Sequence, residues 1–279
     1  NTYFIYPAQH IQQCKLTKLP DVYSVVVPAI YQRKVYFFFY FLFNGFYHYS
    51  EKIILVFFLS YNSFMKNSTM ITYSIKEEVG NSITHGIMAV LMLLFLPFAS
   101  IRAYLLQDAR LAFGVSTFII SLFLMFLMST LYHSMAFETK HKTVFKILDH
   151  IFIYVAIAGS YTPVALSIIG GTLGWIIFAI QWTMVIIGVL YKSLSRKSVP
   201  ALSLLIYMVM GWLVVLIFPY LYRQSNLLFL VLMALGGVLY TIGAYFYVQK
   251  TKPYTHVVWH VFVNLASIAH FIAIVFFIV

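Results

Sequence analysis

Long blocks of apolar residues, separated by short polar stretches, make up the chain from about residue 83 to its end. Each block is close to the roughly 20 residues that an α-helix needs to cross the hydrocarbon core of a bilayer. The pattern predicts seven spans, at about 83–104, 111–133, 151–169, 173–191, 199–221, 227–248 and 257–279. Because the connections are short, we expect one all-α, polytopic bundle of seven transmembrane helices.

The composition supports a membrane protein. Hydrophobic residues make up 62% of the chain and charged residues 9%, whereas soluble domains carry about 25% charged residues. Cys14 is the single cysteine, which excludes a disulfide within the chain and a cysteine-ligated metal site. We therefore expect a multi-pass protein of the cell membrane whose partners are membrane lipids.

The net charge of +11 does not indicate a nucleic-acid partner, because the basic residues lie in the polar stretches between spans. When successive polar stretches are assigned to alternate sides of the membrane, most of the basic residues fall on one side. The larger group is Lys66, Lys76, Lys140, Lys142, Lys146, Lys192, Arg196, Lys197, Lys250 and Lys252, and the smaller group is Arg102, Arg110 and Arg223. The positive-inside rule therefore predicts a cytosolic N-terminus and an external C-terminus.

Residues 1–64 differ in composition from the rest of the chain. They contain none of its 11 methionines. Their apolar runs, at about 35–47 and 53–65, are each short for a membrane span. We expect residues 1–64 to be translated upstream sequence or a disordered extension, with Met65 as the natural start and 65–279 as the seven-helix domain. The alternative is an eighth hydrophobic element.

Four predicted helices place polar side chains at their cytosolic ends. These side chains are Glu78, Ser82 and His85 around the start of the first span, Ser129 and His133 at the end of the second, Asp149 and His150 before the third, and His256 and His260 at the start of the seventh. Polar groups are costly inside a bilayer, and those found there tend to be functional. Their concentration at one end of the bundle favours a shared site over isolated interfacial contacts.

His256 and His260 give the most specific signal within this group. Residues four apart share one face of a helix, so both imidazoles point the same way, as paired zinc ligands do. Taken alone, the pair could equally face lipid headgroups and water. Together with His133, it forms a three-histidine set that leaves one coordination position open, which is typical of catalytic zinc. We therefore predict zinc bound by these three residues.

Two further residues are candidates for catalysis. Asp149 could act as a general base or could orient a ligating histidine, and the sequence gives these roles equal weight. Ser129, one turn before His133, could donate a hydrogen bond to a developing oxyanion. For His85 the alternatives are a fourth ligand, a proton shuttle and a polar contact with Glu78, of which we favour the contact.

Other residues indicate helical architecture. Pro163 predicts a kink in the third span, with nearby hydroxyls available to the freed carbonyl groups. Gly236, Gly237 and Gly243 predict close helix packing in the sixth span. His270 lies too deep to join the other histidines and is expected to make a structural contact within the bundle.

Ordered motifs carry these residues: 77–86 (EEVGNSITHG), 129–133 (STLYH), 148–150 (LDH), 158–163 (AGSYTP), 259–260 (WH) and 269–271 (AHF). Together they resemble the hemolysin III family, the bacterial branch of the progestin and adipoQ receptor group, over about residues 74–279. The wider superfamily includes adiponectin receptors and alkaline ceramidases. The resemblance implies seven helices with an intramembrane zinc near the cytosolic face. His133, His256 and His260 match its ligands, and Ser129 and Asp149 match further site residues.

Three functions are consistent with the sequence. The first is an intramembrane zinc hydrolase that acts on a lipid amide or ester. The second is a receptor or regulator of membrane lipid state in which zinc is structural. The third is a cytolysin, as the name of the family suggests. The open coordination position and Asp149 favour the hydrolase.

Overall fold

The computed structural model describes residues 73–194, 200–249 and 252–278. All regular structure in these ranges is helical: α1 (Ile75–Leu106), α2 (Ala109–Ser134), α3 (Lys140–Pro163) continued by a π-helix (Val164–Ile169), α4 (Gly171–Leu194), α5 (Pro200–Trp212), α6 (Val214–Gln224), α7 (Leu227–Val248) and α8 (Thr255–Phe277). The expected boundary between residues 64 and 65 lies outside the described residues and stays a prediction.

The seven predicted spans are confirmed. Seven helical stretches are long and apolar enough to cross a membrane, with α3 and its π-helix forming the third and α5 and α6 together forming the fifth. The protein is therefore a multi-pass membrane protein. The direction of its insertion is still a prediction from the basic residues.

The first helix begins several residues before the predicted span, because a capping box starts it. The Ser74 hydroxyl accepts a hydrogen bond from the Glu77 backbone N–H, and the Glu77 carboxylate accepts one from the Ser74 backbone N–H. This reciprocal pair satisfies backbone groups that a helix otherwise leaves free at its start. As a result, the polar residues that follow Ile75 lie on the helix and not in a loop.

The third span is the most deeply buried of the described bundle. In its most apolar stretch 67% of the residues are buried by protein, against 50% for α2 and for α8 and 22% for α1. Helix α1 packs against α2 and α8, and α7 packs against α8. One face of α1 carries exposed apolar side chains such as Ile87, Val90 and Leu94, as expected for a helix that contacts lipid.

Glycines allow the helices to approach closely at several points. A Cβ at Gly114 of α2 would lie 2.6 Å from the Pro163 Cα atom. The predicted packing role is confirmed at Gly236, which faces His270, and at Gly243, which faces Trp259. It is wrong at Gly237, where a Cβ would meet no atom within 4 Å.

The kink predicted at Pro163 stays a prediction, and a π-helix (Val164–Ile169) follows this residue. Proline lacks the backbone N–H that would continue the α-helical pattern. The hydroxyl of Thr162 donates to the Ala158 carbonyl at 2.9 Å, and that of Ser160 donates to the Ile157 carbonyl at 2.7 Å. Neither of these carbonyls is that of Gly159, which loses its α-helical donor at Pro163, so the predicted supply of hydroxyls to the freed carbonyl stays a prediction. The structural contact expected of His270 is confirmed, because its Nε2 atom lies 3.1 Å from the Met233 carbonyl.

We expect Gly114→Ala to destabilise the protein and Gly237→Ala not to. The added methyl group at residue 114 meets backbone that cannot move aside, and such overpacking costs about 1–3 kcal/mol. At residue 237 it meets open space, and alanine is the better helix former by about 0.5–1 kcal/mol. Thermal unfolding in detergent, followed by size-exclusion chromatography, measures both. Equal melting temperatures for the two variants would contradict this account of the packing between α2 and α3.

Candidate metal centre

One end of the bundle, which we call the histidine end, is where α1 and α8 begin and α2 finishes. His133 lies in the last turn of α2, and His256 and His260 lie in the first two turns of α8. Their ring centroids are 4.8 to 5.2 Å apart. One potential ligand atom from each lies within 4.8 Å of the others. The three residues that the sequence assigned to the metal site therefore meet in space, and they could hold a metal ion.

The hydrogen bonds of two of these histidines leave the same ring nitrogen for a metal. His133 Nδ1 lies 2.5 Å from the Glu78 carboxylate, and His260 Nδ1 lies 3.2 Å from the Asn81 carbonyl oxygen. Both partners are acceptors, so each Nδ1 carries the proton and each Nε2 carries a lone pair. His133 Nε2 is buried and has no hydrogen-bond partner among the described residues. This arrangement is typical of a metal-ligating histidine.

Glu78 is the charged group that orients His133. Its other carboxylate oxygen accepts a hydrogen bond of 2.8 Å from the Lys142 ammonium group at the start of α3. Lys142 also lies over the ring of Tyr132 and donates to the Met135 carbonyl oxygen at 3.1 Å. The carboxylate thus connects α1 to both α2 and α3.

The predicted contact between His85 and Glu78 is wrong. His85 instead stacks on His260, with ring centroids 3.6 Å apart and an interplanar angle of 4°. Both ring nitrogens of His85 are buried without a hydrogen-bond partner within the described part of the chain. The two side chains lie on the same face of α1 but are separated by seven residues, about 10.5 Å along the helix axis, so Glu78 meets His133 and His85 meets His260. His85 therefore supports the flat face of a candidate ligand.

His256 is positioned by contacts on both sides of the start of α8. The backbone N–H of Tyr254, a residue with a left-handed φ of 60°, donates to the Glu77 carboxylate at 2.6 Å. The ring of Tyr73 stacks on His256 with centroids 4.8 Å apart. Burial raises the pKa of the Tyr73 hydroxyl well above its usual range, and the neighbouring carboxylates of Glu78 and Asp149 raise it further. Tyr73 is therefore a neutral, aromatic wall of the site.

Asp149 lies just outside the histidine cluster. Its carboxylate is 3.7 Å from the Nδ1 atom of His150. It is close enough to Tyr132 and Tyr247 to interact with them electrostatically, and the rings of these tyrosines contact His133 and His256. The catalytic or orienting role of Asp149 stays a prediction. So does the role of Ser129, which is buried on α2 one turn before His133.

The donor set suits a borderline transition metal. Three neutral imidazoles are ligands for zinc and for several neighbouring divalent ions, whereas calcium and magnesium prefer oxygen. The Nε2 lone pairs and the orphaned, buried nitrogen of His133 fit such an ion. The candidate set among the described residues comprises three side chains.

The sequence did not predict which residues hold the candidate ligands in place. Glu78, Asn81 and Thr84 of α1 all contact the rings of His133 or His260, and Lys142 completes the charge balance of Glu78. One available signal was the carboxylate at residue 78. A carboxylate at the end of a membrane span needs a hydrogen-bond or charge partner. His133 and Lys142 are both predicted to lie at the same end of the bundle as this carboxylate.

Comparison with known proteins gives consistent results. Residues 73–271 match the family described as haemolysin-III related. The chain is 37% identical over 210 residues to Hemolysin-3 of Bacillus cereus, covering 75% of this chain and 95% of that protein. It is 39% identical over 205 residues to a Hemolysin-3 homolog of Bacillus subtilis (strain 168), covering 74% and 96%. The monocyte to macrophage differentiation factor of Homo sapiens is 30% identical over 159 residues, covering 54% and 64%.

We expect Glu78→Gln to weaken metal binding by about 10–100-fold, the usual effect of losing a partner that orients a metal-ligating histidine. The amide is neutral and cannot accept from both His133 and Lys142. Glu138→Gln removes the same charge from the exposed turn between α2 and α3 and serves as the control. Titration of the purified, folded variants with divalent transition metals against a competing chelator measures the affinity. Equal affinities for the two variants would show that Glu78 does not orient the site.

Proposed function

The chain belongs to the haemolysin-III related family, and for this member we propose a zinc-dependent hydrolase of lipid amide or ester bonds. The site would lie near the cytosolic face of the cell membrane. Membrane lipids are its proposed partners. The histidine cluster lies inside a membrane bundle, where a polar substrate group would be carried by a lipid.

The single observation that carries this proposal is the three-histidine cluster with its inward-facing nitrogens. Structural zinc sites are usually closed by four protein ligands, whereas catalytic sites keep a position open. The candidate set of the described residues holds three. Zinc bound there would act as a Lewis acid and would lower the pKa of water in the open position to about 7.

Residues around the cluster have distinct proposed roles. Glu78 would hold the His133 ring in its ligating orientation, and Asn81 and His85 would do so for His260. Asp149 would accept the proton of the attacking water as a general base. Ser129 would donate a hydrogen bond to the oxygen on which negative charge develops. Surrounding aromatic rings, including those of Tyr73 and Tyr132, would exclude bulk water.

The contact of Asp149 with His150 favours a second candidate function. A carboxylate that is paired with a neighbouring histidine can support the structure without accepting a proton from water. The protein would then be a receptor or regulator of membrane lipid state, with structural zinc.

Cytolysis is the activity in the name of the Bacillus cereus relative, and it has no separate support from the geometry of this chain.

Zinc content tests the metal assignment directly. We expect His256→Ala and His260→Ala each to lose stoichiometric zinc, because each removes one of three ligands. His141→Ala, in an exposed position near the start of α3, should keep it. The measurement is elemental analysis of protein that elutes as a single folded species. A folded His260→Ala variant that retains full zinc would exclude this residue as a ligand.

Paired assays of zinc and of lipid hydrolysis distinguish the two candidate functions. We expect Asp149→Asn to keep zinc and lose turnover, because an amide cannot accept the proton. Ser129→Ala should lose turnover by about 10²–10³, the usual effect of removing one oxyanion donor. The assay is product analysis after incubation of the protein with a membrane lipid extract, with and without a chelator. If the wild type hydrolyses no lipid and Asp149→Asn loses zinc, the receptor or regulator is the better account.

A further inference from the structure

An apolar groove runs along the outside of the histidine end. It has a volume of about 360 Å³ and lies between the first turns of α1 and the end of α2 with the turn that follows. Its lining residues are Ile75, Glu78, Val79, Ser82, Ile83, His133, Ser134, Met135, Ala136 and Phe137. The volume is at the lower end of the range for ligand-binding clefts, which suits a single acyl chain and not a lipid with two chains.

The outer wall of the groove belongs to the surface that contacts the bilayer. Ile75, Val79 and Ile83 are between 50% and 75% exposed, and they follow one another at a spacing of four residues along one face of α1. In a membrane-spanning helix, such exposed apolar side chains face lipid. The groove is therefore open to molecules that move within the membrane.

The inner wall of the groove belongs to the candidate metal centre. Glu78 and His133 line the groove, and the hydrogen bond between them orients one of the three metal-binding histidines. The groove therefore leads from the bilayer to the Glu78 carboxylate. The His133 side chain behind this carboxylate is fully buried, so a molecule in the groove meets the imidazole only if Glu78 moves aside.

Two hydroxyls provide the groove with a polar recognition point. Ser134 donates to the Thr130 carbonyl oxygen at 2.8 Å, and the Ser82 and Ser134 hydroxyl oxygens are 2.8 Å apart. Since Ser134 makes the shorter bond to the carbonyl, Ser82 donates to Ser134, and its contact of 3.4 Å with the same Thr130 carbonyl shares that proton. Both protons are then engaged, and the Ser82 oxygen keeps free lone pairs. It can accept a hydrogen bond from a ligand that carries an O–H or N–H group.

We propose that this groove binds a single-chain membrane lipid that enters sideways from the bilayer and ends at Glu78, the hydrogen-bond partner of His133. The acyl chain would lie against Ile75, Val79 and Ile83, and a hydroxyl or amide N–H next to the chain would donate to Ser82. This inference rests on the proposed function, because it names the substrate class and the route to the same site. Binding in the groove can nevertheless be measured without turnover.

The test uses a monoacylglycerol with a photoreactive diazirine on its acyl chain, in phosphatidylcholine vesicles that contain the metal-free protein. We expect labelled peptides to map to the groove. Ile83→Trp should fill the groove and remove most of this labelling. Ile87→Trp is the matched control, since Ile87 lies one turn further along α1, is 57% exposed against 56% for Ile83, and does not line the groove.

Ser82→Ala tests the polar recognition point. It should weaken competition by unlabelled monoacylglycerol by about two- to tenfold, the effect of one net hydrogen bond. Competition by a fatty acid methyl ester, which has no donor, should not change. Equal effects on both competitors would overturn the assignment of Ser82.

The inference and the proposed function fail in different ways. Labelling confined to the groove in a protein that hydrolyses no lipid would support the groove and remove the hydrolase. Unchanged hydrolysis by a folded Ile83→Trp variant would overturn the groove as the route and leave the hydrolase standing. Labelling spread evenly over the lipid-facing surfaces of α1, with no loss in Ile83→Trp, would overturn the binding site itself.

Discussion

A carboxylate at the edge of a membrane bundle is stable only when positive or hydrogen-bond-donating groups balance its charge. The arrangement of the histidine end depends on the two groups that balance the charge of Glu78. Its two oxygens accept hydrogen bonds from His133 and Lys142, so three helices meet at one side chain. Removing one partner from a buried charged pair costs about 3–5 kcal/mol. That cost fixes the end of α2 relative to α1 and α3, and with it the position of His133.

Helix α1 provides no metal ligand in the candidate set, yet it supports two of the three ligands. Glu78 faces His133, whereas the Asn81 carbonyl and the His85 ring face His260. These three residues lie at intervals of three and four along the helix, which places them on one inward face. The inward face of α1 therefore positions the site, although its residues have no obvious ligating pattern.

The seven spans could be predicted because the bilayer imposes the same length and polarity on each of them. The grouping of His133, His256 and His260 could be predicted because membrane depth and helical periodicity restrict where their side chains point. The partner of His85 could not be predicted, since it depends on how α8 packs against α1. Contact with Glu78 is ruled out by the helix itself, because seven residues separate the two side chains by about 10.5 Å along the axis.

The interruption of the fifth span was beyond prediction, because it depends on side chains from other helices. The fifth span divides at Leu213, between α5 and α6. Just before this point, Gln181 donates to the Met210 carbonyl oxygen and Tyr161 donates to that of Gly211. In a continuous helix, these carbonyls would accept from backbone N–H groups four residues later. The sequence of the fifth span contains no sign of these two donors.

The first turns of α1 have two faces that serve different purposes. Ile75, Val79 and Ile83 form the wall of the groove, while Asn81 and His85 support the histidines. Glu78 lies between the two faces and takes part in both. A ligand that displaces its carboxylate would therefore disturb the His133 ring, and a metal that draws His133 inward would alter the wall of the groove. The capping box at Ser74 and Glu77, which starts the helix early enough to include these residues, is thus a requirement of the site as well as of the fold.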